Sequence, residues 1–100
     1  MVGHYGVGVP VGYTLRDGDL VVEAGEGRAI DISTRGVLLE TGHPLSPGME
    51  IELSIAWPAR MNGAHGLTLR VSGHTDGSRE SSTVVSIQDW VVAPALAAMS

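Results

Sequence analysis

The stretch Glu50-Ile51-Glu52-Leu53-Ser54-Ile55-Ala56-Trp57 alternates polar or small residues with large apolar ones along its whole length. Successive side chains of a strand point to opposite faces, so this period predicts a strand with Ile51, Leu53, Ile55 and Trp57 on the core side. The same period recurs on either side of it. Val7, Val9, Val11, Tyr13 and Leu15 alternate with Gly6, Gly8, Pro10, Gly12 and Thr14, and Leu67, Leu69 and Val71 alternate with Thr68, Arg70 and Ser72. Further strands are expected at 27–33, with residues 19–23 extending it, at 36–41, and at 82–89 through Thr83, Val85 and Ile87.

Glycine- and proline-containing clusters punctuate these segments. Turn signals fall at Asp17-Gly18, Ala24-Gly25-Glu26-Gly27, Ser46-Pro47-Gly48, Met61-Asn62-Gly63 and Asp76-Gly77-Ser78. Short strands at this spacing predict an all-β antiparallel barrel or sandwich. Pro10 sits in the outward set of the first strand, which predicts an edge or a bulge there. Helical potential is confined to the tail Pro94-Ala95-Leu96-Ala97-Ala98-Met99, where Pro94 suits a first helical position. Trp57, on the inward set, is expected to be a buried anchor. Trp90, just past the last expected strand, is the aromatic expected to be exposed.

The chain has 100 residues, which predicts a single domain over 1–100. Cysteine is absent, excluding disulfides and thiolate metal sites. The net charge is −5, with six arginines and no lysine, so the bulk field repels a nucleic-acid polymer. No stretch has the length and apolarity of a membrane span, and the first residues lack the pattern of a signal peptide. A soluble cytoplasmic protein without membrane insertion is the expectation. Catalytic signatures are missing: there is no Gly-x-Ser-x-Gly elbow, and His43, His65 and His74 lack metal-ligand spacing. A non-enzyme without cofactor or metal is expected, and an unrelated small barrel enzyme or carbohydrate binder stands as the reading from another class.

The stretch most informative for function is Asp31-Ile32-Ser33-Thr34-Arg35-Gly36. Read as a strand entering a turn, it places Asp31 and Ser33 on one face, with Ile30 and Ile32 on the other. Gly36 marks a close backbone approach or a bulge. Downstream follow Val37-Leu38-Leu39-Glu40-Thr41, then Pro44-Leu45-Ser46-Pro47-Gly48, then the strand at Glu50. This ordered set resembles the PilZ domain, the receptor domain of bacterial cyclic di-GMP signalling, whose second signature is Asp/Asn-x-Ser-x-x-Gly. The resemblance runs from about Tyr5 to Ile87. It implies a six-stranded antiparallel β-barrel with a short C-terminal tail or helical turn.

The resemblance also implies a site. Asp31 and Ser33 would read the polar edges of a guanine, and Gly36 would let the nucleotide approach the backbone. In the family an Arg-x-x-x-Arg arm ahead of the first strand clamps the phosphates. No Arg-x-x-x-Arg occurs in this chain, and the second arginine's position falls at His4. Arg28 and Arg35 flank the motif as candidate substitutes, set against a plainer reading as surface charge facing Glu26 and Glu40. The implied function is a PilZ-type regulatory domain with weak or lost cyclic di-GMP binding, acting as a protein-interaction module. The alternative is a genuine receptor using Asp31, Ser33 and Gly36 with Arg28 and Arg35. Partners on these readings are cyclic di-GMP, another bacterial protein, or a second copy paired through the glycine-rich first strand.

Overall fold

The computed structural model describes residues 8–61 and 65–94, and among these the side chains of 57–61, 65–67 and 94 lie outside the description. Six strands form: β1 (Val9–Asp17), β2 (Leu20–Ile32), β3 (Gly36–Glu40), β4 (Glu50–Met61), β5 (His65–Arg79) and β6 (Ser82–Pro94). All neighbours are antiparallel, and the sheet closes into a barrel in the order β1-β2-β3-β6-β5-β4. The all-β six-stranded barrel is therefore the fold, and no helix occurs among the described residues.

The alternating sets supply the lumen. Val9, Val11, Tyr13 and Leu15 of β1 and Ile51, Leu53 and Ile55 of β4 are buried, facing Val37, Leu39, Val71 and Val85. Closure leaves β1 between β2 and β4, so it is not an edge, contrary to the inference from Pro10. Pro10 is tolerated because the β1–β4 ladder begins one residue later, at Val11↔Ile55.

Two glycine-containing turn signals are not turns. Residues 24–27 lie inside β2, paired with β1 from Thr14↔Ala24 to Val11↔Gly27. The glycines there make room. A Cβ on Gly25 would stand 3.0 Å from the Tyr13 hydroxyl, and one on Gly27 would overlap the Glu40 carbonyl oxygen. Asp76-Gly77 is a bulge in β5, where the register to β6 shifts between Thr75 and Gly77. The hairpin instead turns at Glu80-Ser81, with Glu80 at φ 58°. The Met61-Asn62-Gly63 signal falls between β4 and β5, and residues 62–64 lie outside the described residues.

β3 and β4 lie on opposite walls, so their connection must cross a barrel end. Leu45, midway along it, is buried and plugs that end. A cluster of hydroxyls holds the crossing in place. Thr75 Oγ1 receives the Met49 N–H at 2.9 Å and donates to the Ser46 carbonyl at 2.6 Å. Ser78 Oγ donates to the Leu45 carbonyl at 2.9 Å. Buried Thr75 and Thr83 are thus partnered, and no buried side-chain N or O among the described residues lacks a partner.

β6 runs to Pro94, five residues past the expected end, and Pro94 is its last residue rather than a helix start. The rest of the proposed helical tail, 95–100, lies outside the described residues.

Candidate functional site

β2 delivers Asp31 to the outer wall, but not with the predicted facing. The β2–β3 register shifts between Ala29 and Asp31, so one extra residue, Ile30, is accommodated there. Ala29 and Ile32 both become buried, three residues apart, whereas Ile30 is only partly buried. Asp31 then stands opposite Leu38, and Ile32 stands opposite Val37. Ile30 therefore does not share the core face with Ile32, because the bulge inverts the alternation.

β2 ends at Ile32, so Ser33 begins the turn rather than continuing the strand face. Its hydroxyl accepts the amides of Arg35 and Gly36, each at 3.3 Å, and its own N–H donates to the Gly36 carbonyl at 2.9 Å. This is the local side chain-to-backbone pattern of serine turns. Gly36 opens β3, where a Cβ would sit 2.9 Å from the Val85 carbonyl oxygen. The close approach that this glycine permits is to β6. The Arg35 carbonyl accepts the Ile87 N–H at 2.9 Å, tying the same turn to β6.

Asp31, Ser33, Arg35 and Gly36 therefore gather at one end of β3. Arg28 belongs to the other end, opposite Glu40. Arg28 stands opposite Glu40 across the β2–β3 ladder, and Glu26, two residues before it on β2, lies on the same face of the strand. The stem of Arg28 leans toward Gly8, its Cδ 3.9 Å from where a Cβ on that residue would be. His4 lies outside the described residues.

Two grooves mark the outer wall. One, of about 370 Å³, crosses β1, β4, β5 and β6 and is lined by Glu52, Arg70, Asp89 and Trp90 among others. The second, of about 240 Å³, lies over Pro10, Gly12, Glu26 and Ser54. Neither is lined by Asp31, Ser33 or Gly36. Among the described residues, no group of three or more His, Asp or Glu is placed to hold a metal ion. No helix among them is long and apolar enough to cross a membrane.

A feature that the alternation did not reveal lies on β6. Trp90, Val91 and Val92 are exposed by 56, 56 and 49 %, in consecutive positions and hence on both faces of the strand. Exposure of Trp90 is as expected, but it sits within the strand, opposite Val71. The signal was present in the sequence as Trp90-Val91-Val92-Ala93, an uncharged run without period two. Comparison with known protein families, curated proteins and solved structures finds no match for this chain.

Proposed function

We propose that this chain is a PilZ-type regulatory barrel of bacterial cyclic di-GMP signalling in which nucleotide binding is weak or lost, and that it works as a protein-interaction module. The PilZ part of this reading is supported by the six-stranded barrel and by the order of the motif, the Pro44–Gly48 stretch and β4 along it. The observation that carries the loss of binding is the Ser33 hydroxyl, which is taken up by the amides of its own turn. Gly36 is likewise accounted for by its approach to Val85. With His4 at the position of the arm's second arginine, that guanidinium, whose fork suits phosphate oxygens, is replaced by an imidazole. The interaction role is supported by the apolar run on β6, which an isolated barrel leaves in water. Calorimetric titration with cyclic di-GMP tests the reading. If the site were retained, Asp31→Ala and Arg35→Ala would each weaken a measurable affinity by about tenfold or more.

A further inference from the structure

Among the described residues, unequal strand lengths leave part of β6 paired on one side alone. β3 has five residues and pairs with β6 only from Ser82 to Ser86. The Ile87 N–H, bonded to Arg35, is the last rung on that side. Gln88 is passed over by the register shift to β5, and from Asp89 to Pro94 β6 pairs with β5 on one side, with no strand among the described residues pairing with it on the other. Alternate backbone groups there point away from β5, the Trp90 N–H being held by Asp89 Oδ1 at 2.9 Å, and what fits such an edge is another strand.

The side chains narrow the occupant. A strand apolar on both faces is of the kind buried in the middle of a sheet. Natural edges carry charge to prevent pairing, and β2 shows that protection. Its segment from Leu20 to Gly27 also extends beyond β3 and exposes Leu20, Val21 and Val22, but it carries Glu23 and Glu26 directly after them. Two such edges brought together would set carboxylates against carboxylates in a chain of net charge −5. From Trp90 to Ala93, β6 carries no charge at all.

We infer that the occupant is a second copy of this chain, joined β6 to β6 in antiparallel pairing about a two-fold axis through Val91. This register is self-complementary. It sets each Trp90 against the other copy's Val92 on one face and Val91 against Val91 on the other. Aromatic and β-branched cross-strand pairs of this kind are favourable. Asp89 falls opposite Ala93, so no carboxylate meets its like across the ladder. The pairing replaces the glycine-rich first strand, which the closed barrel does not leave as an edge, as the surface for self-association. It rests on the interaction-module reading and names the partner.

Sedimentation velocity on the full chain, from about 1 µM to about 1 mM, tests it. Val91→Lys places two ammonium groups on the axis and should weaken association by about tenfold or more. Val84→Lys is the control, because Val84 is exposed on β6 but lies where β3 and β5 both pair. It should leave association intact. Circular dichroism should show both variants folded, and amide exchange in the wild type should slow over 88–93 as concentration rises. A wild type that stays monomeric throughout, or equal weakening by both substitutions, overturns the inference. A monomer that also binds no cyclic di-GMP leaves the interaction-module reading standing with a different partner, whereas tight nucleotide binding sinks that reading separately.

Discussion

The Tyr13 hydroxyl, at the closed end of the barrel, donates a 2.6 Å hydrogen bond to Glu23 Oε2. The two residues sit on paired strands, and His43, from the crossing loop, meets the same oxygen with Nε2 at 2.7 Å. Burial and then the neighbouring carboxylate push the Tyr13 phenol up to about 12, from an ordinary 10.0. The hydrogen bond from Tyr13 chiefly holds the Glu23 carboxyl below its ordinary 4.5, with His43 contributing in the same direction and partial burial opposing. The pair thus links β1, β2 and the loop that carries Leu45.

Replacing the phenol should be felt at neutral and at high pH. Tyr13→Phe should lower stability by about 1–3 kcal/mol in urea unfolding at pH 7, as expected for a partly buried bond to a charged acceptor. Between pH 10 and 12 the unfolded phenol is ionised while the folded one keeps its proton, so the folded state holds more protons and stability falls as pH rises. The slope there approaches about 1.4 kcal/mol per pH unit, and Tyr13→Phe should remove that contribution. On the acid side the sign reverses. The contribution of Glu23 is present above 4.5 and is lost as pH falls through its lowered folded value, a loss that Glu23→Gln should not show.

The hydroxyl of Thr75 should matter more than its methyl. Thr75→Val keeps the shape but leaves the Met49 N–H and the Ser46 carbonyl without that partner. Chemical denaturation should show a loss of about 1–3 kcal/mol. Amide exchange should quicken at Met49 first, because the crossing loop is what the threonine holds.

Glycine positions separate steric need from simple flexibility. At Gly36 an added Cβ meets the Val85 carbonyl oxygen at 2.9 Å, whereas at Gly12 it meets nothing within 4 Å. Gly36→Ala should cost about 1–3 kcal/mol as β3 shifts against β6. Gly12→Ala should be neutral or stabilising by up to about 1 kcal/mol, through the unfolded chain. Thermal melts of the two variants side by side give the comparison.

If Ser33 belongs to its turn, its loss registers as stability. Ser33→Ala should destabilise the barrel by about 0.5–1.5 kcal/mol, with the effect localised by exchange to Arg35 and Gly36. Those amides are the donors that its hydroxyl now accepts.

Much of the barrel was legible because period-two alternation reports one buried face, and β1, β4 and β5 carry it cleanly through Val11, Leu53 and Val71. Where the chain inserts a residue, the period misleads. Alternation puts Ile30 on one face with Ile32, but the bulge buries Ala29 in its place. Glycine signals a turn at 24–27 and at Gly77, yet a closed barrel also needs it within strands, to admit the Tyr13 ring or the Glu40 carbonyl. Leu45 carries no periodic signal, being a single leucine between prolines, and its burial follows from the crossing from β3 to β4. Of the candidate site, the grouping of Asp31, Ser33 and Gly36 followed from sequence proximity. Ser33 contacts only its own turn, whereas what Gly36 and Arg35 contact depends on β6, which lies some fifty residues away in the chain.

The most direct test of the central claim is a calorimetric titration of cyclic di-GMP into the full chain at low and moderate salt. A PilZ-type barrel whose Ser33 is held by its own turn, and which has His4 in place of the arm's second arginine, predicts no heat at micromolar concentrations in either salt. Binding at micromolar strength or tighter, weakening as salt rises, would contradict it and would make Asp31, Arg28 and Arg35 parts of a working nucleotide site.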